Sequence, residues 1–208
     1  MDKSVVITIS REFGSGGRAI GEMVAKRLGV PFYDREIIEM SAEKSGLAIS
    51  FVEDTEQKIK NKFLHSLAFG GYHKGADLGS MQLSLPDKLF IATCDIIRGI
   101  ADEGSCVIVG RCADFVLKDR KNVLNVFVYS DDENKVKRVI KERGLNEDKA
   151  VSEVKKANKY RSNHYEYYTE RKWGEKSNYQ LCLDSGFLGV EGTVDIIVNA
   201  AKEFAKKI

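Results

Sequence analysis

The chain has 208 residues, with 33 lysines and arginines against 31 aspartates and glutamates and a formal net charge of +2. That length buries a core without disulfides or a structural metal, and the near-cancelling charge points to neither a nucleic-acid polymer nor a membrane surface as partner, so any phosphate-binding charge has to be local. There is no run of about 18 apolar residues, and the short start Met1 to Ile9 is too strand-like for a secretory leader, which makes the cytoplasm the expected compartment. Cys94, Cys106, Cys112 and Cys182 form no C-x-x-C pair, and His65, His73 and His164 fall at no ligand spacing. No metal site is expected from them, and the thiols are expected to be reduced and buried.

In chain order, Val5 to Ser10 is a β-branched apolar run, followed by a glycine cluster. Ile20, Met23, Val24 and Leu28 then recur at helical spacing until Gly29. Val30 to Tyr33 predicts a second strand, and Arg35 to Lys44 a helix that Gly46 can cap. The 51–68 stretch predicts a helix, whereas 69–85 holds four glycines with little periodicity and predicts a loop or flap. Asp87 is placed to cap a helix running to Glu103, and Ser105 to Val109 predicts a strand buried on both faces. Asn122 to Tyr129 predicts a fourth strand, and Asp131 to Arg143 a charged helix. Glu147 to about Tyr168 predicts a long basic helix, Tyr179 to Leu183 a fifth strand, and Val190 to Phe204 a closing helix. Strands alternating with helices predict an α/β fold with a parallel sheet, helices on both faces, and ligands at the strands' carboxyl ends.

The segment Phe13-Gly14-Ser15-Gly16-Gly17-Arg18-Ala19 has the parts of a phosphate loop: glycines that let backbone N–H groups curl around an anion, a helix start behind them, and a cation. Against the spacing G-x-x-x-x-G-K-[ST], placing Gly17-Arg18 on the glycine–lysine step puts Glu12 on the first glycine and Ala19 on the hydroxyl position. Gly14 to Ala19 also matches the dinucleotide pattern G-x-G-x-x-A, with Asp34 after the second strand as a ribose partner. Arg11, Glu12 and Phe13 stand between strand and first glycine, which weakens that second match. A phosphate loop, a dinucleotide site and a purely structural turn all stay open on the local pattern.

The series Ile7-Thr8-Ile9-Ser10-Arg11-Glu12-Phe13-Gly14-Ser15-Gly16-Gly17, Phe32-Tyr33-Asp34, Gly110-Arg111-Cys112-Ala113-Asp114, and Tyr167-Tyr168-Thr169 with Trp173-Gly174 resembles the cytidylate kinase-like family. The resemblance runs from Val5 to about Val198. It implies a single three-layer P-loop kinase domain over 1–208 with a five-stranded parallel sheet, a flap insertion at 47–86 that binds a nucleoside monophosphate, and a lid region at 131–172 with a basic helix. The implied reaction is phosphoryl transfer from ATP to a nucleoside monophosphate, with Mg²⁺, on small-molecule nucleotides. Residues 13–19 would bind ATP, with Arg18 as the loop cation. Arg111 would face the acceptor phosphate, and Arg138 and Arg161 would be lid arginines. Such roles suit a reaction that spreads negative charge over the transferred group. Asp34, Arg35, Asp114 and Asn158 fall at acceptor positions. Val109 replaces the aspartate that relatives carry before the Gly-Arg step, Asn158 replaces an aspartate, and Arg35 and Met40 replace a serine and an arginine.

Each position also has a plainer account. Asp34 could cap the following helix, Asp114 could be a helix-start charge, and Arg138 could belong to a solvated face with Lys135, Lys137 and Lys141. Tyr160, Tyr165, Tyr167, Tyr168 and Trp173 are expected to pack rather than stack on a base. The apolar stripe Phe63, Leu64, Leu67, Phe69 and Tyr72, inside 51–72, could line an acceptor pocket, form a homo-oligomer contact or pack on the sheet.

Overall fold

The computed structural model describes residues 4–45 and 84–208. The expected helix over 51–68, the apolar stripe and most of the 47–86 flap, up to its last residues 84–86, lie outside the described residues. The chain divides into two compact units, Met1–Asp34 with Ile97–Ile208, and Arg35–Ile96.

In the first unit five strands form one parallel sheet: β1 (Val6–Arg11), β2 (Phe32–Tyr33), β3 (Cys106–Val109), β4 (Val123–Tyr129) and β5 (Leu181–Asp184). The spatial order is β2-β3-β1-β4-β5, which puts β1 at the centre. Helices α1 (Gly17–Leu28) and α7 (Ser185–Ala205) pack against one face. There the period-2 side chains Ile7, Ile9, Val107, Val109, Val126 and Val128 meet Ile20, Val24, Val194 and Ile197 in a dry aliphatic core. The other face is partly polar. Thr8 Oγ1 donates to Asn125 Oδ1 at 2.7 Å, Trp173 Nε1 donates to Ser10 Oγ at 3.0 Å, and Phe127 packs edge-on against Trp173. The arrangement is a three-layer α/β fold.

Local signals explain most boundaries. Gly29 ends α1 in the left-handed conformation (φ 65°). The side chain of Asp131 accepts from Asn134 N at 2.8 Å and starts the helix α5 (Asp132–Arg143), and Asn146 likewise starts α6 (Glu147–Thr169). The helix expected from Asp87 begins earlier, as α3 (Leu85–Glu103). Ser84 Oγ accepts from the Asp87 N–H while donating to the Asp87 carboxylate, so Ser84 is the cap and Asp87 its partner in the first turn. The fifth strand begins at Leu181 rather than Tyr179, because Lys176–Asn178 form a 3₁₀ turn. The single turn α4 (Ala113–Val116) is too short to show a period in the sequence. At its start α7 carries a break at Gly189 (φ 69°, ψ 172°), so its regular part begins near the expected Val190. Of the four thiols, Cys106 and Cys112 are buried, Cys94 is half-buried and Cys182 is exposed, which corrects the expectation that all would be buried.

In the second unit, α2 (Glu36–Ser45) lies beside the first part of α3. Thr93 Oγ1 donates to Ser41 Oγ at 3.1 Å, and Lys44 pairs with Asp95 at 3.2 Å. Among the described residues no helix is long and apolar enough to cross a membrane.

Candidate active site

β1 ends at Arg11, and the chain then turns through residues 12–16 into α1. Gly14 (φ 84°) and Gly16 (φ 76°) make the turn, and a Cβ on Gly14 would stand 2.8 Å from Lys135 O, so that position needs glycine twice over. The Ser15 N–H and hydroxyl both donate to Glu12 O, at 3.3 and 2.8 Å. The buried Ser185 Oγ lies 2.6 Å from Ser15 O, which fixes the loop from the α7 side. The Glu12 carboxylate accepts from the buried Lys135 Nζ at 2.8 Å and from Ser130 N at 3.3 Å. Glu12, the residue placed on a signature glycine in the sequence, is therefore the strut between loop and α5.

The helices expected to form the lid reach the same loop. Arg138 donates to Gly14 O and lies over Gly16. Phe13 N donates to Asn158 Oδ1 at 2.6 Å, and Arg161 Nη1 donates to Arg11 O at 2.9 Å. The guanidinium groups of Arg143 and Arg161 face the Phe13 ring, 4.8 and 5.5 Å from its centroid.

At the carboxyl edge of the sheet, cations gather around one carboxylate. Asp34, 9% exposed, pairs with Arg18 Nε at 2.8 Å and with Arg11 Nη2 at 3.5 Å. Burial pushes the Arg11 guanidinium down to about 10; Asp34 opposes the shift while Arg111 and Arg18 add to it. Burial likewise pushes Arg161 down to about 9, with Arg11, Arg111 and Arg143 adding to the shift and Asp34 opposing it. Both groups remain charged at neutral pH. The site is thus a cluster of cations held against mutual repulsion, the electrostatic setting that a polyphosphate relieves. Arg111 enters it from a strained turn after β3, in which Gly110 (φ 76°), Arg111 (φ 59°) and Cys112 (φ 55°) are left-handed in succession; each non-glycine residue there costs on the order of 1 kcal/mol.

The structure therefore brings Phe13, Gly14, Ser15, Gly16, Gly17, Arg18, Asp34, Arg111, Arg138, Asn158 and Arg161 to one edge. Ala19 is exposed on α1, and Arg35 lies in the second unit, 3.8 Å from Glu39. Asp114 is 5% exposed and accepts from Tyr165 Oη at 2.6 Å, tying α4 to α6. Arg11, Glu12, Lys135 and Arg143 were not singled out from the sequence. Lys135 is buried and pairs with Glu12 and Asp132, whereas Lys155, Lys156 and Lys159 lie on a solvated face of α6.

The Tyr165 tie makes a testable statement. Burial raises the Asp114 carboxyl above its ordinary value while Tyr165 holds it down, so the native state takes up protons more readily than the unfolded chain and stability falls as pH rises through that window. Tyr165→Phe removes the opposing bond. It is expected to cost about 1–3 kcal/mol near neutral pH and less near pH 4, read from urea midpoints at the two pH values.

The model of the cytidylate kinase-like family matches residues 6–186. The chain belongs to the cytidylate kinase-like family. It is a P-loop kinase by family and fold, and the dinucleotide pattern at Gly14 to Ala19 is accounted for by a phosphate loop whose Asp34 is engaged by Arg18 and Arg11. No curated protein matches the chain. Among solved structures, an uncharacterized protein from Eubacterium ventriosum ATCC 27560 is 26% identical with a TM-score of 0.71, covering 95% of this chain and 98% of that one. Shikimate kinase from Bacteroides thetaiotaomicron (13% identity, TM-score 0.51, coverage 95% and 98%) and a gluconokinase from Sinorhizobium meliloti 1021 (13%, 0.51, 98% and 95%) share the fold.

Proposed function

We propose that this cytidylate kinase-like protein transfers the terminal phosphoryl group of ATP to a nucleoside monophosphate of the cytidylate type, giving ADP and a nucleoside diphosphate. The observation that carries this is the pairing of Arg11 and Arg18 with one carboxylate beside a glycine loop, with Arg111 and Arg161 close enough to repel Arg11. A reaction in which both partners are anionic needs more positive charge than one phosphate requires.

The residues fit a triphosphate: left-handed Gly14 and Gly16 open the loop, and Arg138 lies over it. They fit a protein-ligated divalent ion less well. Val109 ends β3 without a carboxylate, neither Arg18 nor Ala19 at the start of α1 carries a hydroxyl, and both Asp34 oxygens face arginines. Mg²⁺ accordingly belongs to the proposal as the metal complex of the nucleotide. The work of this chain is to bind and neutralise: Arg111 orients the acceptor phosphate, Arg138 and Arg161 close over the donor, and Asn158 positions the loop through Phe13 N.

A coupled assay of ADP release with Mg-ATP and CMP, dCMP, UMP, AMP or GMP tests the proposal. Turnover is expected to be highest with a cytidine nucleotide, and absence of turnover with all five removes the reading. Val109 and the engagement of Phe13 N by Asn158 favour one second reading, a nucleotide-binding protein without turnover. Its signature is calorimetric binding of ATP with no ADP formed. A kinase with another small anionic acceptor is the outcome if ADP forms only with such a compound.

A further inference from the structure

Gly17 is the first residue of α1 and has ordinary helical backbone, so no turn or left-handed φ calls for glycine there. Arg11 calls for it. A Cβ at position 17 would stand 2.5 Å from Arg11 Cβ and 2.9 Å from Arg11 Cγ, closer than packed carbons approach. Farther along, the same side chain passes over Gly110, where a Cβ would stand 2.0 Å from Arg11 Nη1. The stem of Arg11 thus fills the space in which a side chain on the first helical residue would begin.

The spacing G-x-x-x-x-G-K can be set by the backbone. Gly16 is the left-handed N-cap from which α1 starts, which makes it the second glycine of the signature. Arg11 then falls on the first glycine and Gly17 on the lysine. Both positions are exchanged: the cation sits where the glycine is usual, and glycine where the cation is usual. With Arg11 in place a lysine at 17 is excluded, since its Cβ would collide with the Arg11 stem. The alternative cation, Arg18, has a side chain 61% exposed that points its Nε at Asp34, whereas the Arg11 side chain is 19% exposed. Among the described residues, the Arg11 guanidinium finds Asp34 alone, at 3.5 Å, which leaves most of its five N–H donors for an anion.

The geometry points to Arg11 as the phosphate-loop cation of this chain, delivered from the last residue of β1 and taking over the charge that the standard loop carries on its first helical residue. This rests on the kinase reading above, and it adds a residue that touches the transferred phosphoryl group. Arg18 then supports Asp34 and through it the placement of Arg11.

The test is calorimetric titration of the full chain with inorganic tripolyphosphate and with ATP. Arg11→Gln, which keeps most of the stem and removes the charge, is expected to weaken both by roughly 10- to 100-fold. The double variant R11G/G17K rebuilds the standard loop with its cation on the helix, and it is expected to bind at least tenfold tighter than R11Q, approaching the unaltered chain. A merely structural role for Arg11 predicts no such recovery from a lysine placed on another element. R11Q binding within twofold of the unaltered chain overturns the assignment, as does a folded double variant that binds no better than R11Q. If the double variant does not fold, the R11Q titration decides alone. Absence of binding by the unaltered chain overturns the kinase reading and this assignment together, whereas binding that R11Q leaves intact overturns only the assignment.

Discussion

Asp34→Asn is expected to lower the unfolding free energy by about 3 kcal/mol, and added polyphosphate is expected to restore most of it. Asp34 is the carboxylate that both Arg11 and Arg18 face, and it opposes the downward push on Arg11 and Arg161. Removing its charge leaves those cations repelling one another in a largely water-excluded place. An anion that binds only the folded chain replaces the lost charge, so the variant should gain more from tripolyphosphate than the parent does. Urea unfolding of both proteins with and without tripolyphosphate reads this directly. Equal stability of the two without ligand would mean that the arginines are solvated well enough to need no counter-charge.

Arg161→Ala is expected to lower kcat/KM by about 100- to 1000-fold, of the order found when one positioned donor to a developing charge is removed. Its effect on the unliganded fold should be small by comparison. The variant loses the bond to Arg11 O and the stacking on Phe13, but it also removes one cation from a repelling group. These terms oppose each other, each on the order of 1–2 kcal/mol. A large loss of activity with a small change in the urea midpoint is the mark of a residue kept for charge. Arg161→Lys should recover part of the activity, because it returns the charge without the planar fork. If R161A loses stability in proportion to activity, the contact with Arg11 O is structural and the lid role fails.

The sheet was legible because its strands are short runs of β-branched and aliphatic residues separated by helical periods, as Ser105 to Val109 shows by becoming β3 within one residue. Helix starts were legible where a side chain makes the cap, as at Asp131, and misplaced where two residues share it, as at Ser84 and Asp87. The break at Gly189 and the single turn of α4 have no period to read. In the site, the rule that ligands gather at the carboxyl ends of parallel strands places Asp34 after β2 and Arg111 after β3 without any knowledge of contacts. The same rule covers Arg11, the last residue of β1. Counting glycines from Gly17-Arg18 passed over it, since only the close approach of the Arg11 stem to Gly17 shows which frame the backbone uses. Glu12 with Lys135, and Asn158 with Phe13 N, join residues too far apart in sequence for any local pattern to pair. Tyr165 packs as aromatic residues were expected to, yet its hydroxyl carries the bond that keeps a buried aspartate satisfied.

Phosphorus NMR of the protein with Mg-ATP and CMP tests the central claim most directly, because it sees where the phosphoryl group goes. Paired growth of ADP and CDP resonances at the expense of ATP and CMP, lost together in Arg161→Ala, is the predicted result. Growth of orthophosphate with CMP unchanged, or an unaltered ATP spectrum with every nucleoside monophosphate and small anionic acceptor tried, would contradict the account of this arginine cluster as a phosphoryl-transfer site.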